Sequence, residues 1–143
     1  MRTAEQLTQI FKDNFVAYYR SHVAHVNITG RNFRSDHKLL EGVYTRRQEQ
    51  IDRIGELLRS LNEEMPCDIA EVLLDSNIDT GMLSGDADFL LTMIRDDLDH
   101  LANEYRELIT VANDEGEEAI GNYAQDQVLD LTKSIWMLDA TLG

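Results

Sequence analysis

The fold is decided by residues 21–56, which read SHVAHVNITGRNFRSDHKLLEGVYTRRQEQIDRIGE. Helical patterns run into this stretch and out of it, and residues 27–30 between them favour helix ends and left-handed backbone. If the two helices fold back on each other, His25 and His37 stand at similar height on neighbouring helices. The pattern therefore predicts a helical hairpin that brings two imidazoles together.

The second helix of this hairpin carries three acids on the same side as His37. At about 100° per residue, they lie within about 100° of that histidine; they are Glu41, Asp52 and Glu56. Glu41 and Asp52 are nevertheless about 16 Å apart along the helix axis, at about 1.5 Å per residue. One ion cannot touch both within one chain. Two copies packed antiparallel about a two-fold axis would bring the two ends together and make two identical sites.

The candidate ligands combine imidazole and carboxylate without thiolate; they are His25, His37, Glu41, Asp52 and Glu56. Such a set suits iron, manganese or zinc more than copper(I) or an iron–sulfur cluster. Few ligands per ion leave positions open for water or an oxidant. Spacing alone also allows another interpretation, in which the acids form a solvated stripe and the histidines are structural.

The same residues resemble the signature of the Dps family, the mini-ferritins. The matching pattern is His-x-Asn-x-x-Gly-x-x-Phe-x-x-x-His-x-x-x-Glu, carried here by His25, Asn27, Gly30, Phe33, His37 and Glu41 and followed by Asp52 and Glu56 at the family's spacing. Residues 99–114 and the segment SIWMLDATL resemble the family's third and fourth long helices, so the likeness covers about residues 4–141. Two positions depart from the family: Val26 stands where Trp is common, and Glu41 where Asp often stands.

The resemblance implies an all-α fold, a ferritin-like four-helix bundle with a short extra helix in the crossover between helices 2 and 3. It implies a single domain over residues 1–143 and a hollow homo-oligomer, a dodecamer. Each inter-subunit site would take His25, His37 and Glu41 from one subunit and Asp52 and Glu56 from its mate. Two Fe²⁺ ions would bind there and be oxidised by hydrogen peroxide, or more slowly by O₂. The implied function is that of a ferroxidase that stores Fe³⁺ mineral and protects against oxidative damage.

The rest of the chain is consistent with such a bundle. Its 143 residues suit one domain, and a single proline favours long helices. The first helix is predicted to open at Thr3 with a T-x-x-Q capping box. The other helices are predicted over residues 33–62, over 69–74 behind the cap Asp68, over 88–112, and from Glu117 and Glu118 onward. The predicted core stripe of the second helix is Leu40, Tyr44, Ile51, Ile54, Leu58 and Leu61, and that of the helix over 88–112 is Leu90, Leu91, Ile94, Leu98, Leu101, Tyr105 and Ile109. The last helix is predicted to face the core with Ile120, Tyr123, Val128, Leu131, Ile135, Trp136 and Leu138.

Several further polar residues receive structural interpretations. His22 is expected to be an ordinary interface or surface residue, and His100 and Cys67, the only cysteine, are expected to be structural. No long helix carries Glu-x-x-His, the motif of a centre inside one bundle, so an interface site is favoured. Arg46 and Arg47 are expected to be solvated, or to pair with carboxylates of the mate.

The charge of the chain bears on its partners. There are 27 acidic and 13 basic residues, giving a formal net charge of −14. Binding to DNA requires cations that replace counterions, and the chain shows no basic tail, so direct tight DNA binding is not expected. Acids cluster before the last helix, at Asp114, Glu117 and Glu118. They could line a pore that concentrates Fe²⁺, or they could be a solvated helix start.

The sequence also bears on the location of the protein. No apolar run reaches the roughly 18 residues of a membrane helix, and the first residues lack the order of a signal peptide, which predicts a cytoplasmic protein with no membrane partner. Two other functions stay open. One is a structural or metal-sensing helical oligomer with an inactive site, and the other is a DNA-compacting protein.

Overall fold

The computed structural model describes residues 1–143 and contains five α-helices and no strand. In chain order they are α1 (Arg2–Asn27), α2 (Phe33–Ser60), α3 (Ile69–Asp75), α4 (Ala87–Asp114) and α5 (Glu118–Leu142). Four helices are long, and α3 is the short helix of the crossover. The all-α four-helix fold is thus confirmed, with helix ends close to those predicted. None of the helices is both long and apolar enough to cross a membrane.

The connections give the bundle its ferritin-like topology. Side-chain contacts pair the beginning of α1 with the end of α4, as Gln6 does with Glu104, and the end of α1 with the middle of α4, as Arg20 does with Asp97. Helices α1 and α4 are therefore antiparallel, and contacts between α2 and α5 show the same for that pair. Because each hairpin is itself antiparallel, α2 and α4 run in the same direction. The crossover through α3 must therefore span the length of the bundle.

Two long helices end in a left-handed residue. After α2, Asn62 has a φ of 63°, and the next backbone N–H donates to the carbonyl of Leu58. After α4, Gly116 has a φ of 78°, and the N–H of Glu117 donates to the carbonyl of Ala112 at 2.7 Å. This pairing satisfies carbonyls that the helix end would leave free, and Gly and Asn adopt the required conformation most easily.

The start of α1 differs from the prediction. The T-x-x-Q capping box does not form, and the helix begins at Arg2, where no side chain of the N-terminal residue caps it. Instead the carboxylate of Glu115 accepts hydrogen bonds from the backbone N–H groups of Arg2 and Thr3, at 3.2 and 2.7 Å. A carboxylate at a helix N-terminus is favoured by the helix dipole. A tertiary contact has thus replaced a local one.

The core follows the apolar stripes of the long helices. The predicted stripe of α4 is confirmed, with these residues buried: Leu90, Leu91, Ile94, Leu98, Leu101 and Tyr105. In α5 the prediction that Trp136 faces the core is wrong, because it is 66% exposed. The inward stripe there runs through Leu131, Ser134 and Leu138. Trp136 lies about 200° around the helix from Ser134, on the opposite side.

Candidate metal centre

The two histidines predicted to converge lie face to face. The ring centroids of His25 and His37 are 3.7 Å apart, with 16° between the ring planes. Each ring bonds to the backbone of the other residue. His25 Nδ1 lies 2.7 Å from the carbonyl oxygen of His37, and His37 Nδ1 lies 2.7 Å from that of His25. This reciprocal pair joins the end of α1 to the first turns of α2.

These hydrogen bonds determine which nitrogen can bind a metal. A carbonyl oxygen only accepts, so each Nδ1 must carry the proton and donate it. In a neutral imidazole the lone pair is then on Nε2, and neither Nε2 has a hydrogen-bond partner within the chain. Metal-binding histidines are commonly oriented in this way, with the second ring nitrogen donating to a carbonyl. The residues present therefore fit a metal at this position.

Aromatic side chains hold the two imidazoles in place. Phe33 stacks on His37 at a centroid distance of 5.0 Å, and Tyr44 lies 5.0 Å from His25. His22 in turn stacks on Tyr44, with the ring centroids 4.0 Å apart. Val26, which replaces the Trp common in the resembling family, is exposed. Rings packed on both sides leave the imidazoles few alternative orientations.

The three predicted acids lie on α2 and are exposed; they are Glu41, Asp52 and Glu56. No hydrogen bond or ion pair within the chain uses any of their carboxylates. No three of the five predicted ligands converge within one chain. The one group of three potential ligands that does converge consists of Asp13, His100 and Glu104. The structure therefore joins the histidine pair but leaves the carboxylates apart. Their role as metal ligands stays a prediction.

The centre of the bundle holds a cation of its own. Arg47 is 1% exposed, and its guanidinium donates to Asn14 Oδ1 at 3.3 Å and to Asp130 Oδ2 at 3.2 Å. The expectation that Arg46 and Arg47 are solvated or pair with the mate is wrong, because both form ion pairs with Asp130 of the same chain. A guanidinium in the bundle interior opposes binding of a metal cation there, since like charges in a low dielectric repel strongly.

A second part of this network is formed by neutral groups. Tyr123 donates to Gln50 Oε1 at 2.6 Å, and the hydroxyls of Tyr105 and Tyr123 lie 3.2 Å apart. Burial raises the pKa of both phenols, so both remain protonated. The buried polar groups in the bundle centre thus satisfy one another within one chain.

The sequence carries a local signal for this network. The buried residues of α2 recur every three or four positions; they are Leu40, Val43, Arg47, Gln50, Ile54 and Leu58. Arg47 and Gln50 occupy apolar positions of this stripe, so the helical period places them in the core. The predicted stripe used Tyr44, Ile51 and Leu61 instead, and these are only half-buried. A polar residue on a core stripe indicates a buried network, because burial of an unpaired polar group is costly.

Comparisons with known proteins agree with this architecture. The family model for a ferritin-like domain matches residues 4–143. The DNA protection during starvation protein of Helicobacter pylori (strain J99) is 31% identical over 147 residues, which cover 100% of both chains. Antigen TpF1 of Treponema pallidum is 31% identical over 144 residues, covering 96% of this chain and 78% of the antigen.

Solved structures show the same fold. The structure of Helicobacter cinaedi CAIP superposes with a TM-score of 0.92 at 27% identity, covering 99% of both chains. The Vibrio cholerae O1 DPS protein, described as a member of a broad superfamily of ferritin-like diiron-carboxylate proteins, has a TM-score of 0.93 at 25% identity, covering 99% of this chain and 89% of that one. The chain therefore belongs to the Dps family of ferritin-like proteins.

Proposed function

We propose that this protein is a ferroxidase and iron-storage protein, in which Fe²⁺ is oxidised at sites shared by two subunits. The observation that carries the proposal is the reciprocal hydrogen bonding of His25 and His37, which leaves both Nε2 lone pairs free. Membership of the Dps family supports the same function. The Fe³⁺ product would be kept as mineral inside a hollow homo-dodecamer.

Each proposed ligand has a defined role. His25 and His37 supply neutral nitrogen ligands, and Glu41, one turn further along α2, supplies a carboxylate from the same subunit. Asp52 of the partner subunit and Glu56 of the partner subunit complete the site and offset part of the charge of two Fe²⁺ ions. This division of the ligands between two subunits is supported by the single chain, in which the carboxylates of α2 are exposed and have no partners of their own. It also follows the isologous geometry of a two-fold contact, which makes the two sites of a dimer identical.

The proposed reaction is a two-electron step. Two Fe²⁺ ions each give one electron to one molecule of hydrogen peroxide. Its O–O bond breaks, and both oxygen atoms are reduced to the oxidation state that they have in water. Hydrolysis of the two Fe³⁺ ions to FeO(OH) consumes two further waters and releases four protons in total. Two irons held at one site supply both electrons together, so that no hydroxyl radical is released. The protein contributes proximity and orientation of the two metal substrates.

Uptake of iron is supported by the charge of the chain. The formal net charge of −14 favours a negative potential around an assembly of these subunits. We propose Asp114, Glu117 and Glu118 as residues of a pore that concentrates Fe²⁺. Asp114 and Glu118 are exposed at the turn between α4 and α5, where Asp114 forms a surface ion pair with Arg2 at 3.6 Å.

The test is anaerobic loading with Fe²⁺, followed by about one hydrogen peroxide per two irons, with the ferric absorbance and the particle size measured together. We expect fast oxidation in a particle of about twelve subunits. The His37→Ala/Asp52→Ala double variant should assemble but oxidise iron no faster than buffer. The Asp126→Ala variant is the control, because it removes an exposed, unpaired carboxylate from α5. An assembled wild type that is as slow as buffer would contradict the proposal and favour a structural or metal-sensing oligomer.

DNA protection is named for several relatives, and it suggests a second function to test. We propose that this chain does not compact DNA directly, because an assembly with −14 per subunit repels phosphate. Gel-shift assays at low and at moderate salt should show free DNA in both. Retardation that persists at moderate salt would overturn this expectation.

A further inference from the structure

A second cluster of potential ligands lies within one chain, between α1 and α4. It consists of Asp13, His100 and Glu104, whose ligand atoms all lie within 4.8 Å of one another. His100 Nε2 is 3.4 Å from Asp13 Oδ2 and 3.4 Å from Glu104 Oε1. Ligands about 2.0–2.1 Å from a tetrahedral ion are about 3.3–3.4 Å apart. The imidazole is therefore spaced from both carboxylates as metal ligands are spaced from each other.

One oxygen of this cluster accepts no hydrogen bond. Glu104 is 7% exposed, and its Oε1 is buried without a hydrogen bond. A buried polar atom without a partner is costly and indicates a missing group. No lysine or arginine forms an ion pair with Asp13 or Glu104. By contrast, the buried carboxylate of Asp97 is paired with the guanidinium of Arg20 at 2.7 Å.

The remaining contacts hold Asp13 in the orientation of a ligand. Its Oδ1 accepts from Ser76 Oγ at 2.7 Å and from the backbone N–H of Asn77 at 2.6 Å. Its Oδ2 is left facing His100 and the amide of Gln9, which lies 3.3 Å away. Outer hydrogen bonds of this kind fix the orientation of ligating carboxylates. The side chain of His100 is 39% exposed, which leaves a route from solvent to the cluster.

We propose that Asp13, His100 and Glu104 bind a divalent first-row transition-metal cation within each subunit. A mixed set of one imidazole and two carboxylates suits Zn²⁺, Fe²⁺ or Mn²⁺. This site is separate from the proposed ferroxidase centre, because it uses none of the five ligands proposed there.

The test uses Zn²⁺ as the probe in an assembled His37→Ala/Asp52→Ala/Glu56→Ala variant, which lacks the competing centre. Equilibrium dialysis at neutral pH should find about one tightly bound Zn²⁺ per chain, and Zn²⁺ should raise the melting temperature, because binding to the folded state stabilises it. Adding His100→Ala should abolish both effects. Adding His22→Ala, which removes another part-buried histidine, should leave both unchanged.

A second pair of variants keeps the test independent of folding. Glu104→Gln preserves shape and should lose Zn²⁺ binding, whereas Glu107→Gln changes an exposed acid one turn away on α4 and should keep it. Circular dichroism establishes that each variant is folded. The proposal is overturned if the background variant binds no Zn²⁺, which would mean that the two carboxylates only share a proton. It is equally overturned if His100→Ala and Glu104→Gln bind as much Zn²⁺ as their controls.

Discussion

Polar side chains in the centre of the bundle pair with one another within the chain, whereas the carboxylates on the outer face of α1 and α2 do not. In the centre, the guanidinium of Arg47 is buried and bonded to Asn14 and Asp130 of the same chain. On the face, only the histidine pair is joined, through reciprocal bonds to backbone carbonyls. The three carboxylates of the same helix remain exposed and unpaired. One helix thus contributes a complete network on one side and an incomplete set of ligands on the other.

The difference follows from the cost of burial. A buried polar group that lacks a partner loses its water without compensation, so a core network is most stable when it is complete within the chain. An exposed carboxylate stays hydrated and is therefore available to bind a second subunit or a metal. An incomplete set of ligands on a surface therefore indicates a binding site, whereas a complete polar network in a core indicates a contribution to stability.

The largest expected effect tests whether the face is completed by a second copy. His25→Ala/His37→Ala subunits and Asp52→Ala/Glu56→Ala subunits should each be inactive, with iron oxidation lowered by about 100-fold or more. Co-assembled in equal amounts, they should recover about a quarter of the wild-type sites, because half of the pairs are mixed and each mixed pair has one intact site. Stopped-flow measurement of ferric absorbance checks this. Zero recovery in properly mixed particles would mean that the ligands act within one subunit.

The next effect tests whether the core network is needed for stability. Arg47→Ala removes a buried charge partner and should lower the free energy of unfolding by about 3 kcal/mol. Arg46→Ala is the matched control, since its half-exposed side chain pairs with the same Asp130 and should cost about 1 kcal/mol or less. Denaturant unfolding at equal protein concentration measures both. Equal losses for the two variants would show that burial of the guanidinium does not matter.

A pH dependence should distinguish the buried carboxylate of Glu104 from the exposed acids of the face. Its pKa is raised from 4.5 to about 10, first by burial and then by Asp13. The folded state therefore binds one more proton than the unfolded state between these values, so this contribution to stability is present in full at low pH and is lost as the pH rises toward 10. With a chelator present, the melting temperature of Glu104→Gln relative to that of wild type should rise by about 10 °C between pH 5 and pH 9. Asp126→Asn, which changes an exposed, unpaired acid of α5, should show a constant difference from wild type. A constant difference for Glu104→Gln would refute the assignment.

The smallest effect concerns the neutral part of the core network. Tyr123→Phe removes the donor to Gln50 Oε1 and should lower the free energy of unfolding by about 1–2 kcal/mol, because a buried acceptor loses its partner. Tyr19→Phe is the control, because that ring is exposed and its hydroxyl has no hydrogen bond, and it should change stability by about 0.5 kcal/mol or less. Iron oxidation per assembled particle should be unaffected in both. A loss of iron oxidation in Tyr123→Phe would show that the core network affects the metal-binding face.

The fold was accessible from the sequence because its signals are local. The apolar stripe of α4, the cap Asp68 and the hairpin at Gly30 depend on residues a few positions apart. Convergence of His25 and His37 could also be predicted, since a short turn between antiparallel helices fixes their relative height. The capping of α1 by Glu115 could not, because these groups are more than 110 residues apart in the chain.

The polar sites also differ in how much of each could be predicted from the sequence. Arg47 could have been placed in the core from its position on the stripe of α2, but its partner Asp130 lies 83 residues further on. The cluster of Asp13, His100 and Glu104 gave no local signal, since Asp13 and His100 are 87 residues apart. Such groups become neighbours only when α1 packs against α4.

The sequence by itself determined the four long helices, the crossover and the histidine pair, because helical period and turn chemistry act over a few residues. Only the tertiary structure decided which polar residues are satisfied in the chain and which are left without partners. The physical reason is that desolvation depends on the packing of distant helices. That packing buries Arg47 with its partners, buries Glu104 Oε1 without a hydrogen bond, and leaves Glu41 in solvent.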